Sequence, residues 1–425
     1  MKNKQAVVLL FIANIISGLA QGISMIAIPW YFVEIVNRPE FFASAYLIIT
    51  FLTFFWGLYA GTLIDRYSRK KIFIILNVIC GIFIGSIAVF GNHLPSFSDF
   101  LVVSVFTITI FNYNIHYPNL YALGQEITEK KYYGKLNSYI EVQGQVTSVL
   151  AGAFAAILLT GTTDNNLNIA GFSFVLPFNI EPWHIYDIFL MDAITYIFVI
   201  FIFSLIYYQP ISINIIDKSD LYERLVNGIK YLQSNFPVFV FGICSYMLFA
   251  FTLVEIHIVL PSYVHDFLKM DGNVYASAEI YYSFGAIFSG FLILRIFRRL
   301  PIVSSVVILM LVVSCAFYSF AMYDILWLFF LGNFILGVTN AGVRILRTTY
   351  LFNHVPNNLI GRVGSVFNSL NIMIRMCLIL IISLPFFNLE DNIRYAYIIG
   401  VLLMLISVIF LLIWYRKILL VKELK

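Results

Sequence analysis

Charged residues are scarce in this chain. Lysine, arginine, aspartate and glutamate make up 11% of its 425 residues, whereas a soluble domain has about 25%. With 61% hydrophobic residues and a mean hydropathy of +0.91, the chain has too little polar surface for a water-soluble globule. The basic residues are dispersed between apolar runs despite a net charge of +4, so we expect no nucleic-acid partner. This composition places the chain in a lipid bilayer.

Cysteine is also rare, and the four cysteines all fall inside apolar runs. Their spacing matches neither a disulfide framework nor a metal site, and thiols in hydrocarbon behave as small apolar groups. The sequence contains no nucleotide-binding P-loop. We therefore expect no cofactor and no metal. If the chain moves a solute across the bilayer against its gradient, we expect an ion gradient, most simply of protons, to drive that movement.

Long apolar runs dominate what is present. A helix needs about 20 apolar residues to cross a bilayer, and twelve runs reach roughly that length. The first run is too long for the apolar part of a signal peptide, so we interpret it as a membrane span. The twelve predicted spans are 7–33, 41–64, 72–91, 100–122, 138–160, 185–208, 236–262, 274–296, 302–320, 325–346, 363–387 and 395–415.

The distribution of lysine and arginine predicts the orientation. Of the 26 basic residues, Arg38, Lys269 and Arg394 fall in alternate loops on one side, and Arg375 lies within a span. The other 22 lie on or near the opposite side, together with both termini. We therefore expect a multi-pass protein of the bacterial cytoplasmic membrane with both termini in the cytoplasm.

Two short segments occur twice in the chain. Residues 61–71 (Gly-Thr-Leu-Ile-Asp-Arg-Tyr-Ser-Arg-Lys-Lys) match 290–300 (Gly-Phe-Leu-Ile-Leu-Arg-Ile-Phe-Arg-Arg-Leu), 229 residues further on. Residues 134–138 (Gly-Lys-Leu-Asn-Ser) match 361–365 (Gly-Arg-Val-Gly-Ser), 227 residues further on. Repeats in an apolar chain predict an all-α membrane protein of two pseudo-symmetric six-helix bundles, as in secondary transporters.

The repeat divides the chain into predicted domains. An N-terminal six-helix bundle covers 1–208, and a C-terminal six-helix bundle covers 236–425. The stretch 209–235 between them carries apolar residues at helical spacing with charges on the other faces. We interpret it as a linker with an amphipathic helix at the cytoplasmic surface.

Polar groups inside a bilayer are costly, and those that remain usually face a cavity or a partner. In spans 1, 4, 5, 7, 10 and 11 they recur at helical spacing, which places them on one face of each helix. Fewer polar residues occur in spans 3, 6, 9 and 12. We predict that these spans form an outer scaffold and that Asp192 in span 6 has a structural role. The predicted substrate pocket comprises Asn14, Gln21, Asn112, His116, Glu141, Gln145, Asn340, Arg344, Asn368, Asn371 and Arg375. Two of these have simpler interpretations, a hydrogen-bonded structural histidine for His116 and a snorkelling side chain for Arg344.

Glu255, His257 and Glu279 are the predicted proton-coupling residues. A charged group at the bilayer centre costs roughly 2.5–3.5 kcal/mol, and burial favours the neutral form of a carboxylic acid. Both glutamates fall in the outer part of their spans and could lie close together. The alternative is that they sit at the outer mouth and are merely hydrated.

Arg375 is the deepest formal charge in the sequence. An arginine at that depth requires an anion. The anion is either a carboxylate or phosphate of the substrate, or an internal glutamate such as Glu255 or Glu279.

These segments resemble the major facilitator superfamily. Residues 61–71 are similar to its signature between helices 2 and 3, Gly-x-Leu-x-Asp-Arg-x-Gly-Arg-Lys, with Ser68 in place of the second glycine. The resemblance implies alternating access and a cytoplasmic gate in which Asp65 faces the start of helix 11. The alternative is that the basic residues only anchor the orientation. The implied gate residues are Gly61, Asp65, Arg66, Arg69, Gly361 and Arg362.

Within the superfamily the chain is most similar to the drug, macrolide and siderophore efflux branch. The cues are 361–365 after Pro356, Asn137-Ser138 at the start of helix 5, and Asp192-Ala-Ile-Thr-Tyr in helix 6. The helix 4 arginine motif is absent, and the antiporter Gly-Pro motif is reduced to Ala-Gly-Ala at 151–153. The branch implies a monomer that exports a small amphiphilic or anionic molecule, a drug-like compound or a siderophore, in exchange for protons.

Three other functions remain open at this point. A proton-driven importer of a nutrient or metal chelate would have the same fold. An intramembrane transferase would need a catalytic cluster in a loop, and the polar loop residues share no such spacing, so we expect no enzyme. A non-transporting sensor on a transporter fold is the third.

Overall fold

The computed structural model is almost wholly helical. It describes residues 4–93, 98–129, 132–162, 165–175, 177–207, 221–356 and 359–421. Within these ranges, twelve helices are long and apolar enough to cross a membrane. The predicted all-α membrane class and the count of twelve spans are therefore confirmed.

The first six spans run from α1 to α6. Their helices are α1 (Lys4–Trp30), α2 (Pro39–Arg66), α3 (Arg69–Phe90), α4 (Ser98–Ile127), α5 (Tyr133–Thr160) and α6 (Ile185–Leu205). A two-stranded antiparallel hairpin, β1 (Asn166–Ile169) and β2 (Phe172–Val175), lies in the loop before α6. We did not predict these strands, because the alternation of polar and apolar residues at 166–169 and 172–174 is too short to stand out beside the long apolar runs.

The remaining helices begin with α7 (Leu221–Ser234), which lies in the predicted linker. The last six spans are built from α8 (Phe236–Val254) with α9 (Leu260–Ser262), α10 (Gly272–Ile296), α11 (Ile302–Met322), α12 (Leu326–His354), α13 (Ile360–Ile382) and α14 (Ala396–Ile413). A short helix, α15 (Tyr415–Leu419), follows. The prediction placed the end of span 11 at 387, which was too late, because Pro385 starts a separate 3-10 turn, Pro385–Asn388.

The first and seventh spans end with the same backbone arrangement, a proline followed by a π-helical segment. Pro29 and Pro261 lie 232 residues apart, and neither can donate an amide hydrogen to the preceding helical turn. Each is followed by a π-helical segment, Tyr31–Ile35 in one span and Tyr263–Phe267 in the other. The offset of 232 is close to those of the two sequence repeats, so the duplication is visible in local geometry as well.

The two π-helical segments also end with the same backbone conformation and the same hydrogen bond. Asn37 and Lys269, again 232 apart, both adopt left-handed backbone conformations, with φ of 52° and 53°. The amide of the next residue, Arg38 or Met270, donates to the carbonyl six positions earlier, at 2.8 Å and 3.0 Å. A left-handed residue with such a bond is a common way to end a helix, because it satisfies otherwise orphaned carbonyls.

By their internal contacts the residues form two compact units. The first unit comprises Met1–Arg38, Phe51–Asp217 and Gly272–Ile280. The second unit comprises Pro39–Thr50, Lys218–Asp271 and Tyr281–Lys425. The beginning of α2 therefore belongs to the second unit and the beginning of α10 to the first. The domains 1–208, 209–235 and 236–425 stay a prediction.

In the first unit, α6 packs against α3 and α1, and its contact with α3 is made at two glycines of α3. A Cβ atom at Gly81 would lie 3.1 Å from the Cβ of Tyr196, and one at Gly85 would lie 3.4 Å from the Cβ of Ala193. Glycines four residues apart let two membrane helices approach closely. The predicted scaffold helices 3 and 6 are thus the most tightly joined pair of this unit.

In the second unit, glycines also set the closest helix approach. A Cβ atom at Gly337 of α12 would overlap the carbonyl oxygen of Tyr282, and one at Gly285 of α10 would overlap the carbonyl oxygen of Phe334. The aromatic rings of Phe251, Phe317, Phe320 and Tyr263 surround Tyr397 of α14. This aromatic core fixes the direction of the Tyr397 hydroxyl.

Candidate functional site

The first unit encloses a small polar cavity. Its volume is about 60 Å³, enough for one or two water molecules. Asn14, Gln21 and His116 from the predicted pocket line it. His116 Nε2 hydrogen-bonds Asn14 Oδ1 at 2.8 Å, and Gln21 Nε2 donates to Ser17 Oγ at 2.6 Å. The structure therefore brings these three predicted residues together.

The predicted pocket residues of α5 are less buried. Glu141 is exposed, and its carboxylate accepts a hydrogen bond of 2.6 Å from the Tyr121 hydroxyl. Gln145 is half-buried. Neither residue lines the cavity, whose α5 wall is formed by Gly144, Thr147 and Ser148.

Asp192 is fully buried, although it lies on a helix predicted to be outer scaffold. Its Oδ2 accepts a hydrogen bond from Ser24 Oγ of α1 at 3.2 Å. Asn112 of α4 is buried as well and lies next to Tyr196, one helical turn beyond Asp192. The face of α6 that carries Asp192 therefore points into the first unit, because Gly81 and Gly85 bring α3 close to it.

Glu279 also belongs to the first unit. It is half-buried, interacts electrostatically with Tyr113 and lies close to Gly152 of α5. Glu255 belongs to the second unit.

In the second unit, Arg375 of α13 lies beside Tyr46 and His257. The guanidinium hydrogen-bonds the Tyr46 hydroxyl, and the His257 ring packs edge-on against the Tyr46 ring with centroids 5.2 Å apart. Arg375 Nε is buried without a hydrogen-bond partner among the described residues. A buried, partly unsatisfied guanidinium is a strong donor site for an anion.

Glu255 is fully buried, and the Tyr397 hydroxyl donates to its Oε1 at 3.0 Å. The aromatic core around Tyr397 aims this hydroxyl at the carboxylate. The anion that Arg375 meets, a carboxylate or phosphate of the substrate or an internal glutamate, stays a prediction.

Glu255 and His257 lie on a second π-helical segment, Glu255–Val259. Pro261 follows it and cannot donate to the carbonyl of residue 257, so the helix widens at this point. Such bulges inside helices are frequent at functional sites. The widened turn changes the direction in which the two predicted coupling residues point.

The remaining predicted residues of the second unit vary in burial. Asn340 is buried and donates to the Tyr282 hydroxyl at 2.7 Å. Asn371 is buried one turn before Arg375, whereas Asn368 and Arg344 are exposed. Exposure of Arg344 agrees with a snorkelling side chain.

Our sequence reasoning missed Arg347. This residue of α12 is 5% exposed, its guanidinium lies 3.5 Å above the Tyr246 ring, and it donates to the Ser245 carbonyl at 3.0 Å. A cation over an aromatic face is a favourable arrangement when desolvated. The signal in the sequence was the spacing of three from Arg344, which places the two side chains on neighbouring positions of one helix.

In the first unit, the structure shows the contacts of one predicted gate residue, Arg69, and of its neighbour Lys70. Arg69 Nε lies 3.7 Å from Glu126 Oε1 of α4. Lys70 Nζ donates to the carbonyls of Ser204 and Ile206 at the end of α6, at 3.0 Å and 2.7 Å. A cation at a helix C-terminus is favourable. These three predicted gate residues belong to α2, but the structure does not describe the side-chain environments of Gly61, Asp65 and Arg66.

The gate residues of the second unit meet the linker helix α7. A Cβ atom at Gly228 would lie 2.6 Å from the carbonyl oxygen of Arg362, so α7 packs closely on the start of α13. The Tyr231 hydroxyl donates to the His354 carbonyl at 2.8 Å, and burial raises the pKa of Tyr231. Gly361 has open space beside it.

Within the described ranges there is no metal-binding cluster, that is, no group of three or more histidine, cysteine, aspartate or glutamate side chains that could hold a metal ion. The sites consist instead of isolated buried charges and amides. Such groups can bind a polar or anionic small molecule and can hold a proton.

Comparison with known proteins identifies the architecture. The family model described as Major Facilitator Superfamily matches residues 10–376. A search of curated proteins finds no match. Among solved structures, a mutant of the nucleoside transporter NupG has a TM-score of 0.73 at 14% identity, covering 96% of this chain and 100% of its own.

Two further structures are similar over nearly the whole length. A bacterial homologue of the iron transporter ferroportin has a TM-score of 0.73 at 15% identity, covering 97% of this chain and 99% of its own. A D-xylose-proton symporter has a TM-score of 0.68 at 11% identity, covering 96% of both chains. At these identities the neighbours show the fold alone, and their different cargoes do not select the efflux branch.

Proposed function

The chain belongs to the major facilitator superfamily, a family of transporters rather than enzymes, and on that premise we propose that it is a proton-coupled exporter of a small amphiphilic anion. It works by alternating access in a bacterial cytoplasmic membrane, as a monomer with both termini in the cytoplasm. A drug-like carboxylate or a siderophore fits this description. Export itself rests on the sequence resemblance to the efflux branch and on no structural observation.

The observation that carries the choice of an anion is the environment of Arg375. Its guanidinium is half-buried beside Tyr46 and His257, and one of its nitrogens lacks a hydrogen-bond partner in the described part of the second unit. Hydrogen bonds to charged groups contribute about 1.5–3 kcal/mol. A substrate carboxylate would supply the missing acceptor and the missing counter-charge together.

The other residues take the roles predicted from the sequence. Glu255, His257 and Glu279 are the proton-coupling candidates, and Gly61, Asp65, Arg66, Arg69, Gly361 and Arg362 form the cytoplasmic gate. Substrate contacts come from the polar residues of the pocket, with Arg375 as the anion site. The other proposed pocket residues are Asn14, Gln21, Asn112, His116, Glu141, Gln145, Asn340, Arg344, Asn368 and Asn371.

The test is transport of matched anionic and neutral probes by purified protein in lipid vesicles. The panel consists of radiolabelled phenylacetate and decanoate with their neutral amides, phenylacetamide and decanamide. We expect an imposed proton gradient to drive accumulation of a carboxylate but not of its amide. The variant Arg375→Gln should reduce that accumulation roughly 10- to 100-fold, because it loses a charge-assisted contact.

The exposed Arg299 gives a matched control, since Arg299→Gln removes a cation from outside the proposed site. Everted and right-side-out membrane vesicles then distinguish export from import of a nutrient or metal chelate. Equal handling of carboxylates and amides by wild-type protein would contradict the anion site. Flux that follows only the substrate gradient would contradict proton coupling.

A further inference from the structure

We propose that Asp192 carries a proton in the transport cycle, in addition to or in place of the glutamates predicted from the sequence. This inference rests on the proton coupling proposed above. It assigns a proton-binding site to the interior of the first unit, at the junction of α1, α3, α4 and α6. The sequence had suggested only a structural role for this aspartate.

The geometry of Asp192 is that of a neutral acid. The side chain is fully buried, and among the residues that the structure describes its one hydrogen bond comes from the hydroxyl of Ser24. Its second oxygen, Oδ1, has no hydrogen-bond partner among the described residues. An ionised carboxylate normally requires several donors or a counter-charge once it is removed from water. Neither is present here, so the protonated form is the one that fits this conformation.

The ionisable neighbours of Asp192 come from every helix packed around it. Cys80 of α3, Tyr113 of α4 and Tyr196 of α6 interact with it electrostatically, and α1 contributes Ser24. Glu279 lies beyond Tyr113 and interacts with that tyrosine. All of these groups are neutral or acidic, and no lysine, arginine or histidine in the described part of the first unit pairs with Asp192.

A second buried polar group lies beside Asp192. Tyr196 lies four residues further along α6, on the same face, and its hydroxyl lies against Asn112 of α4 and Cys80 of α3. Asp192 Oδ1, in contrast, has no hydrogen-bond partner among the described residues. Buried polar groups are nearly always paired, so this oxygen indicates that another state of the protein satisfies it, through a proton, a water molecule or a shifted helix.

Tyr113 connects this acid to the polar cavity. It interacts with Asp192 and also lines the cavity of about 60 Å³ together with Gln21 and His116. The cavity has room for one or two water molecules. A proton leaving Asp192 Oδ1 therefore has a polar neighbour and a hydratable space within the same unit.

Infrared spectroscopy of the purified full-length protein in lipid tests the protonation directly. A protonated carboxyl group has a carbonyl stretch separate from the amide bands. We expect wild-type protein to show such a band that disappears as the pH is raised. The band should be missing in Asp192→Asn, shifted in Ser24→Ala and unchanged in Glu181→Gln, which alters an exposed loop acid. Identical spectra and pH responses in wild type and Asp192→Asn would overturn the proposal.

Transport of the carboxylate panel then separates this proposal from the one on which it rests. Asp192→Asn should lose proton-driven accumulation while keeping exchange of labelled for unlabelled carboxylate, because exchange needs no net proton movement. Proton-driven accumulation by a folded Asp192→Asn protein would contradict the role of Asp192 without contradicting the proposed proton coupling. Gradient-independent flux in wild type would instead refute the coupling itself. Asp192→Glu, which keeps an acid, should retain part of the accumulation.

Discussion

The two units share one backbone arrangement but differ in their buried ionisable groups. Pro29 and Pro261 each precede a π-helical segment that ends at a left-handed residue. Inside the first unit the fully buried charge-bearing group is an acid, Asp192, with one hydroxyl partner. Inside the second unit the buried groups include a base, Arg347, as well as an acid, Glu255. Duplication has thus preserved geometry while the chemistry of each half has diverged.

The physical reason is that the two properties have different causes. A proline has no amide hydrogen, and a left-handed residue terminates a helix, whatever side chains surround them. A buried charge depends on which neighbours reach it. Ser24 reaches Asp192, whereas the aromatic core around Tyr397 brings its hydroxyl to Glu255. The following three predictions test how far the two units are equivalent.

The largest effect is expected where helices of the second unit touch. Gly337→Ala places a Cβ against the carbonyl oxygen of Tyr282, which is backbone and cannot rotate away. We expect a loss of about 1–3 kcal/mol in the free energy of unfolding, the usual cost of overpacking. Gly290→Ala is the control, because no atom lies within 4 Å of the new Cβ. Denaturant titration of the purified proteins measures both, and equal stability of the two variants would contradict the close contact.

An intermediate effect is expected at the two buried acids. Ser24→Ala and Tyr397→Phe each remove a hydrogen bond to a buried carboxyl group. We expect each to destabilise the protein by about 1–3 kcal/mol, the cost of leaving a buried polar group unsatisfied. The same denaturant titration gives the comparison. If Tyr397→Phe were neutral while Ser24→Ala was costly, only the first unit would depend on this contact.

The smallest effect is expected at the left-handed residues. Lysine in this conformation costs roughly 1–2 kcal/mol, of which glycine's greater freedom offsets about 0.5–1. Lys269→Gly should therefore raise stability by up to about 1.5 kcal/mol, whereas Asn37→Gly should change it little, because asparagine tolerates the left-handed region. Asp391→Asn controls for the exposed Lys269–Asp391 ion pair of 3.5 Å, which contributes at most about 1 kcal/mol. A melting temperature unchanged by Lys269→Gly would indicate no strain.

The sequence was a good guide to the spans and a poor guide to what faces inward. Run length alone predicted twelve membrane helices, because the bilayer thickness imposes that length on any spanning helix. Helical spacing placed Asn14 and Gln21 on the polar face of span 1 and His116 on that of span 4, and the structure groups all three around one cavity. The same reasoning underestimated the burial of Asp192, since a helix with one acid looks like scaffold until its partner helices are known. Arg347 was missed because it lies one residue beyond the predicted end of span 10 at 346, whereas α12 continues to His354.

The amino-acid sequence by itself determined that this chain lies in lipid, crosses it twelve times and arose by duplication. Each of these follows from composition, run length or repetition, which are local or additive properties of the chain. Only the tertiary structure decided that the Tyr397 hydroxyl meets Glu255 and that the Ser24 hydroxyl donates to Asp192. Those pairings join residues more than 140 positions apart, so they depend on which helix faces pack together, and a single helix's periodicity does not encode its neighbour.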